Sequence, residues 1–279
     1  MQTRHYTNKI PQKVQKYMKY SEMTESERTF LQGIINEYKP RKIVEIGVAA
    51  GASSLLILDA IKDTEANLYS LDYSTEYYRD LNKKTGFILE NFKEYTDKWQ
   101  LKTGSLSCEF LDDIGGEIDL CLLDTVHSKP GELLDYLQIL PYMKKGGIIV
   151  IHDISLHTFS GFLLQDACCA LFGALNGEKV IPDTTEHKFC PNIGAVKLQD
   201  NSFEHAFDIF YLLFLSWSYK IKESDYKLLH NFFSKHYDKN LLNIFEKAYS
   251  FNNKIKIASP KTFGQKIKSS RLLFYSELM

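Results

Sequence analysis

Apolar and polar positions along the chain alternate in a pattern that predicts short buried strands separated by helices. Five apolar runs have the length of strands and are bounded by polar or turn-forming residues: 42–47, 66–71, 99–103, 118–123 and 148–151. The segments around them carry apolar residues at helical spacing and predict helices at 24–39, 53–63, 76–95, 130–143 and 162–175. Because the strands are continuous apolar runs, they predict a parallel sheet that is covered on both faces.

Some helix ends carry specific signals. Thr24 is a good N-cap, and the acidic Glu25 and Glu27 suit the first turn that follows it. Pro130 suits the start of the fourth-strand crossover helix, and Lys144–Gly147 has the composition of its C-terminal end. Gly86 is unfavourable in the middle of the helix predicted at 76–95.

The chain after residue 176 follows a different pattern. Glu178–Ile181 and Ile193–Leu198 are strand candidates with only eleven residues between them, which favours an antiparallel pair. We therefore divide the chain into an N-terminal arm or lid (1–23), a domain (24–200) and a C-terminal helical extension (201–279). Aromatic residues recur at helical spacing in the extension, which favours an additional packed layer and leaves a homodimer interface open.

The composition indicates a folded protein without a basic nucleic-acid-binding surface or a membrane span. The 279 residues are 44% hydrophobic and carry a formal net charge of −1, whereas nucleic-acid-binding domains usually carry a basic patch. No apolar run reaches membrane-spanning length, and the first residues lack the apolar segment of a secretory signal. The five cysteines include no CxxC pair, which indicates reduced thiols. We therefore expect a cytoplasmic protein that binds neither nucleic acid nor a membrane.

Polar residues follow the predicted strands, at the ends where ligands bind in open parallel sheets. These strand ends carry Gly47–Gly51, Asp72, Gly104–Ser105, Asp124 with His127, and His152–Asp153. Because they come from five separated places in the chain, we expect them to converge on one crevice. Asp72 is placed to accept hydrogen bonds from the hydroxyls of a ribose, and the alternative is a turn residue ahead of Ser74.

The first strand leads into a loop of small residues and then into a helix, a geometry that presents backbone N–H groups to a ligand. A dinucleotide site requires G-x-G-x-x-G, but those positions hold Gly47, Ala49 and Ala52, so only one glycine is in place. The pattern that fits is E-x-G-x-x-x-G, formed by Glu45, Gly47 and Gly51.

This loop resembles that of the class I S-adenosylmethionine-dependent methyltransferases, which have an acidic residue followed by G-x-G-x-G; here Ala49 stands at the middle glycine. The resemblance implies an α/β fold: a doubly wound, seven-stranded, mostly parallel sheet with an antiparallel last strand, plus N-terminal and C-terminal helical additions. It also implies that S-adenosylmethionine is the cofactor. By position, it implies these cofactor-binding residues: Glu45, Gly47, Ala49, Gly51, Ser53, Asp72, Tyr73, Ser105 and Asp124.

Asp124-x-x-His127 and His152-Asp153 are similar to a narrower group, the small-molecule O-methyltransferases related to macrolide-sugar and cephalosporin-pathway enzymes. Several members bind a divalent metal, usually magnesium. This resemblance implies that Asp124, His152 and Asp153 are metal ligands and that His127, Asp124 and His152 are catalytic, with His127 as the base. Histidine suits Mn, Fe or Zn better than Mg, so the identity and presence of the metal stay open. His152 is alternatively a second base or a substrate contact.

The chemistry of methyl transfer to a hydroxyl agrees with these residue types. The hydroxyl must lose its proton, which a nearby histidine accepts near neutral pH, and a cation held by oxygen ligands orients it and lowers its pKa.

We therefore predict an enzyme that O-methylates a small molecule such as a sugar, a glycan precursor or a natural product. Three alternatives stay open: an N-methyltransferase without metal, an NAD-dependent oxidoreductase, and a non-catalytic nucleotide-binding domain. His187 in the hairpin loop is a weak further candidate, because a solvated loop histidine is the better explanation.

Overall fold

An eight-stranded sheet forms the centre of the computed structural model, which describes residues 1–159, 162, 164–183 and 190–254. Its strand order is β1-β9-β10-β8-β7-β2-β3-β6, and β4 and β5 form a separate hairpin. The strands are β1 (Gln2–Arg4), β2 (Lys42–Ile46), β3 (Asn67–Asp72), β4 (Glu76–Tyr77), β5 (Asp80–Lys84), β6 (Trp99–Thr103), β7 (Ile118–Leu123), β8 (Met143–His152), β9 (Gly177–Pro182) and β10 (Ile193–Leu198).

Helices cover both faces of the sheet. In the described residues they are α1 (Gln12–Gln15), α2 (Glu25–Tyr38), α3 (Ala52–Ile61), α4 (Leu111–Ile114), α5 (Gly131–Ile139), α6 (Ala167–Ala174), α7 (Ala206–Leu212), α8 (Glu223–His236) and α9 (Lys239–Lys254). Successive strand residues lie in different cores: Ile43 packs with α2 and α3, whereas Val44 packs with α5, α7, α8 and α9. This two-sided burial confirms the parallel, doubly covered sheet that the apolar strands predict.

The order of the strands creates a topological switch point between β2 and β7. The chain runs outward from β2 through β3 to β6, and then returns to the other side of β2 as β7 and β8, all parallel to one another. In sheets of this kind, ligands bind in the crevice where the direction of winding reverses. The carboxyl ends of β2 and β7 are Ile46 and Leu123, so the following residues lie at that crevice.

The last two strands confirm the predicted hairpin. β10 is antiparallel to both of its neighbours, β8 and β9. The sheet has one more strand than the seven that the sequence predicts, because β1 pairs in parallel with β9, with Gln2 opposite Val180. β1 is a three-residue, mostly exposed edge strand without an apolar run, so its sequence carries no strand signal.

The predicted helix at 76–95 is wrong. The segment instead forms β4, β5 and two short 3-10 turns over Phe87–Asn91 and Lys93–Lys98. Gly86 has a φ of 75°, a left-handed conformation that ends regular structure there, and its N–H donates to the carbonyl oxygen of Ala49 at 2.9 Å. The apolar residues Ile88 and Leu89 are buried as expected, but they pack from turns and not from one helix face.

Two other boundaries also differ from expectation. α5 ends at Ile139, and Lys144–Gly147 lies within β8, where the register against β7 is irregular. α6 begins at Ala167 and not at residue 162. By contrast, the start of α2 is confirmed, because the Thr24 hydroxyl accepts from the N–H of Glu27 at 3.4 Å in a capping box. Among the described residues, none of the helices combines the length and the apolar character that a membrane crossing requires.

Candidate active site

A cavity opens at the carboxyl ends of β2, β3, β6 and β7, at the switch point. Six of the predicted cofactor positions line it: Gly47, Ala49, Asp72, Tyr73, Ser105 and Asp124. Three others are not part of its lining: Glu45, Gly51 and Ser53. The ends of β2, β3, β6 and β7 therefore converge on this cavity, whereas His127, His152 and Asp153 are not part of its lining. The role of each residue stays a prediction.

The loop after β2 has a backbone that its small residues make possible. Gly47 has a φ of 95°, and a Cβ at this position would lie 1.9 Å from the carbonyl oxygen of Asp124. Ala49 is also left-handed, with a φ of 48°. The N–H groups of Val48 and Ala49 donate to Oδ2 of Asp72 at 2.8 and 3.0 Å. The end of β3 thus fixes the loop that follows β2.

Asp72 makes the turn interaction that the sequence offered as one of two alternatives, and its ribose role stays a prediction. Its Oδ1 accepts from the N–H of Ser74 at 2.8 Å, which is the turn interaction. Burial raises the pKa of Asp72, while the three backbone N–H donors lower it. A carboxylate has about four acceptor positions, so three donors leave room for roughly one more hydrogen bond. Asp72 can therefore accept from one ribose hydroxyl without giving up the loop.

Glu45 lies behind the loop, outside the cavity lining. Its Oε2 accepts from the hydroxyls of Ser54 and Ser70 at 2.5 and 2.7 Å, and the Trp99 indole N–H donates to Ser70 at 2.9 Å. Its Oε1 has no hydrogen-bond partner among the described residues. Burial raises the pKa of Glu45 to about 7, although the hydroxyls of Ser53, Ser54 and Ser70 oppose this shift. In this arrangement the acid braces β2, α3 and β3.

Gly51 serves packing at the start of α3. It has a φ of 88°, and a Cβ there would lie 2.7 Å from the Leu89 side chain and 3.1 Å from the Cα of Gly86. The glycine therefore allows the segment after β5 to press against the loop.

The second part of the site is a cluster of two imidazoles and two carboxylates beyond β7 and β8. Nε2 of His127 lies 3.1 Å from Oδ2 of Asp153, and Nδ1 of His152 lies 3.3 Å from Oδ1 of Asp124 and 3.4 Å from Oδ2 of Asp153. His127 also approaches Asp124, with 3.8 Å between Nε2 and Oδ1. The four residues that the sequence predicts to be catalytic or metal-binding are therefore neighbours.

Charge and backbone conformation set this cluster apart from an ordinary turn. His127 and Asp153 are left-handed, with φ values of 56° and 61°. Burial alone would lower the pKa of His127, but the charges of Asp153, Glu132 and Asp124 raise it to about 9. The pKa of Asp153 is well below its usual range, because the two imidazoles outweigh the effect of burial. For the same reason the pKa of His152 is far above its usual value.

The sequence did not identify two residues that orient this cluster. Glu27, buried in the first turn of α2, places its Oε2 3.3 Å from Nε2 of His152. Asn192 donates from Nδ2 to Oδ1 of Asp153 at 2.5 Å. The sequence analysis explained Glu27 as an acidic residue of the first turn after the N-cap Thr24, so nothing in the sequence linked it to His152. Asn192 precedes β10, and only the hairpin's register brings it back to the end of β8.

A fourth acidic group, also not predicted from the sequence, comes from the start of α5. Oε1 of Glu132 accepts from the Thr125 hydroxyl at 3.0 Å and from the backbone N–H of His127, and lies 3.4 Å from Nδ1 of His127. Asp135 lines the cavity, and burial together with the charge of Glu132 raises its pKa to about 7. The three-residue spacing of Glu132 and Asp135 places both on one helix face, which is the only sequence signal they carried.

Two sets of side chains bring potential metal ligands together among the described residues. Asp124, His152 and Asp153 form one set, and His127, Glu132 and Cys168 form the other; within each set the ligand atoms lie within 4.8 Å of one another. The first set is the one that the sequence predicts. His187 lies outside the described residues.

Comparison with known proteins agrees with the fold. Residues 44–154 match the model of a family described as a methyltransferase domain. None of the curated proteins matches the chain. Among solved structures, a methyltransferase from Podospora anserina with bound S-adenosylhomocysteine is 18% identical with a TM-score of 0.50, covering 68% of this chain and 89% of its own.

Two O-methyltransferases are similar to the same extent. The enzyme from Bacillus cereus in complex with S-adenosylhomocysteine is 14% identical with a TM-score of 0.51, and the match covers 68% of this chain and 92% of its own. The enzyme from Streptomyces achromogenes involved in tomaymycin synthesis, in complex with S-adenosylmethionine, is 12% identical with a TM-score of 0.50, covering 68% and 91%. At such low identity these likenesses show the fold alone.

Proposed function

We propose that the chain, which carries a methyltransferase domain over residues 44–154, is an S-adenosylmethionine-dependent methyltransferase that transfers the methyl group to a hydroxyl of a small molecule. One observation carries the proposal. The glycine loop, Asp72 and Asp124 line one cavity at the switch point. Asp124 also contacts the cluster of histidines and carboxylates, which are the groups that deprotonation of a hydroxyl requires.

The residues present fit an adenosyl cofactor with a positive charge. Asp72 can accept a hydrogen bond from a ribose hydroxyl. The small residues Gly47 and Ala49 allow the cofactor to approach the loop backbone closely. Asp124 and Asp135 line the same cavity and are suited to face a sulfonium and an ammonium group. When bound, S-adenosylmethionine supplies an electrophilic methyl group.

His127 is the base in this proposal. Its Nε2 is held between Asp153 and Asp124, and Nδ1 lies against Glu132, so the ring cannot rotate freely. With carboxylates as its neighbours, the pKa of His127 is raised to about 9. Positive charge that enters beside the same carboxylates lowers this pKa towards the range in which a histidine accepts a proton near neutrality.

We further infer that Asp124, His152 and Asp153 hold a divalent metal. Their ligand atoms are within 4.8 Å of one another, and Glu27 contacts the other ring nitrogen of His152, as carboxylates do behind metal-ligating histidines. Glu27, Asp124, Glu132 and Asp153 outnumber the two imidazoles that they surround, so the pocket favours a further cation. A bound divalent metal acts as a Lewis acid on a hydroxyl. The histidine favours Mn, Fe or Zn over Mg.

Two features weigh against the alternatives. An NAD-dependent oxidoreductase needs glycines where Ala49 and Ala52 stand. A non-catalytic binding domain has no need of left-handed His127 and Asp153 beside buried carboxylates. N-methyl transfer is the remaining alternative, and only the chemistry of the acceptor distinguishes it from O-methyl transfer.

Calorimetry on the full chain tests the cofactor. We expect S-adenosylhomocysteine to bind and NAD not to bind, and binding of NAD alone, or of neither, would overturn the proposal. Acceptor panels of hydroxyl compounds and their amine analogues, with S-adenosylmethionine as donor, then separate O- from N-methyl transfer. His127→Ala should retain S-adenosylhomocysteine binding and lose transfer, whereas His205→Ala on the exposed surface of the extension should retain both.

The acceptor class and compartment are also part of the proposal. The proposal that the acceptor is a sugar, a glycan precursor or a natural product rests on the family resemblance. Cytoplasmic location rests on the five free cysteines, Cys108, Cys121, Cys168, Cys169 and Cys190, since thiols stay reduced in that compartment.

A further inference from the structure

The outer wall of the cavity comes from the helical extension. Six residues of the segment 219–229 line the cavity together with the strand ends: Tyr219, Lys220, Ile221, Lys222, Asp225 and Leu229. This segment connects α7 to α8 and includes the first half of α8. It lies far along the chain from residues 44–154, which match the methyltransferase model. The cavity is thus built from two distant parts of the sequence.

Tyr73, Lys222 and Asp225 form a group of polar contacts, the polar clasp, which joins the two parts beside the predicted ribose position. The Tyr73 hydroxyl donates to Oδ2 of Asp225 at 3.2 Å and accepts from Nζ of Lys222 at 3.1 Å. The ammonium group of Lys222 also lies 5.3 Å from the centre of the Tyr73 ring. Tyr73 directly follows Asp72, so these contacts lie next to the carboxylate that has room for a ribose hydroxyl.

Apolar side chains from both parts face the same space. Leu106 and Leu134 come from the domain, and Ile221 and Leu229 come from the extension. A purine ring is flat and largely apolar on its faces, so it binds between side chains of this kind, with polar groups at its edge. This end of the cavity follows β3 and β6, whereas the imidazole cluster follows β7 and β8.

Contacts just before the segment and at both of its ends fix it in place. The N–H of Trp217 donates to Oδ1 of Asn252 at 2.9 Å, and the N–H of Ser218 donates to the carbonyl oxygen of Lys129 at 2.9 Å. Tyr219 packs on Gly131, where a Cβ would lie 3.0 Å from the tyrosine hydroxyl. At the other end of the segment, Leu229 is buried in the core. The wall is therefore preformed.

We propose that segment 219–229 is the adenosine-side wall of the cofactor site, and that Lys222 and Asp225 bind the cofactor together with Tyr73, whose role the family resemblance already implies. The proposal rests on the function proposed above. It gives the extension a role in the site, because cofactor affinity then depends on residues outside the matched domain.

Calorimetry with S-adenosylhomocysteine and with 5′-methylthioadenosine tests the clasp. The second ligand keeps the adenosine and lacks the amino acid part. We expect Lys222→Met and Asp225→Asn each to weaken both ligands by roughly tenfold, because a lost polar contact costs on the order of 1.4 kcal/mol. Tyr73→Phe combined with Asp225→Asn should weaken binding by less than the product of the single effects, since the two residues share one interaction.

Lys227→Met is the matched control. Lys227 lies on α8 and pairs with Glu223 at 2.8 Å, outside the cavity lining, so its loss should leave both affinities unchanged. Thermal unfolding verifies that each variant is folded, which we expect because Lys222 is exposed and Asp225 is only partly buried. If the unmodified chain binds S-adenosylhomocysteine and the clasp variants bind it within twofold, the wall is not a binding element and the proposed function stands. If the unmodified chain does not bind it, both proposals fail.

Discussion

At the residue scale, two acids of similar sequence context have different positions. The sequence placed both Glu45 and Asp72 on the cofactor. Asp72 is the last residue of β3 and lines the cavity, whereas Glu45 lies within β2, where its carboxylate bonds to Ser54 and Ser70. The sequence predicted both strands, but it did not show that the hydroxyls of α3 and β3 would occupy the Glu45 carboxylate.

The pH dependence of stability should reveal the buried Glu45. Its pKa rises from 4.5 to about 7 on folding, so the stability that its protonation gives is fully present below about pH 4.5 and is lost as the pH rises through about 7. The shift corresponds to roughly 3 kcal/mol. Glu45→Gln cannot ionise, so its stability relative to the unmodified chain should improve over this window. Urea unfolding of both proteins at several pH values measures this, and a pH-independent difference would contradict it.

Gly47→Ala should damage the loop severely. The added Cβ meets the carbonyl oxygen of Asp124 at 1.9 Å and the backbone has a φ of 95°, so both packing and conformation oppose it. We expect a loss of more than about 2 kcal/mol of stability, or failure to fold. Gly146→Ala is the control, because its φ is 73° but no atom lies within 4 Å; it should cost only about 1–2 kcal/mol. Equal losses in denaturant unfolding would refute the packing argument.

At the element scale, apolar runs predicted the strands of the eight-stranded sheet except β1, and burial on both faces gives β2, β7 and β8 the strongest signal. β1 and the β4–β5 hairpin were not predicted. β1 is short and exposed, and the 76–95 segment has helical spacing that tertiary contacts override: the N–H of Gly86 bonds to the loop at Ala49. The sequence predicted those site residues that directly follow a strand. It did not predict Glu27, Asn192 or the 219–229 wall, because tertiary packing brings them to the site.

The link from α2 to β8 makes Glu27 a positioning residue. Its carboxylate holds Nε2 of His152 at 3.3 Å, which turns Nδ1 towards Asp124 and Asp153. If these residues hold a metal, Glu27→Gln should lower the affinity for Mn²⁺ or Zn²⁺ by about 10- to 100-fold. Metal titration by calorimetry measures this directly.

Glu25→Gln provides the comparison, because Glu25 lies in the same helical turn but is exposed. It should leave metal affinity unchanged. Identical affinities for the unmodified chain and Glu27→Gln would show that Glu27 acts only as part of the helix cap.

At the scale of the whole molecule, the extension covers one face of the sheet and leaves aromatic side chains exposed. Phe207 and Tyr211 on α7 are 51% and 60% exposed, and Phe251 on α9 is 48% exposed. Phe214 connects these rings into a series, with 5.9 Å between the ring centres of Phe207 and Tyr211, 5.7 Å between Tyr211 and Phe214, and 6.3 Å between Phe214 and Phe251. Large exposed apolar patches commonly mark protein interfaces.

We expect this aromatic patch to form a homodimer interface. Sedimentation velocity should give a dimer for the unmodified chain and a monomer for Tyr211→Glu, because a charge in the centre of an apolar interface is costly. Leu81→Glu is the control, since Leu81 is 48% exposed on β5 and should not affect association. A monomer at high protein concentration without substitution would rule the interface out.

The pairing of β1 with β9 imposes an order of events on the nascent chain. Gln2 pairs with Val180, so the ribosome releases one partner long before it has made the other. At about 5–20 residues per second, the first strand waits roughly 10–35 s for its neighbour. During that time the edge of β9 does not exist. β1 can therefore join the sheet only after β9 has been synthesised, although β1 lies far ahead of β9 in the sequence.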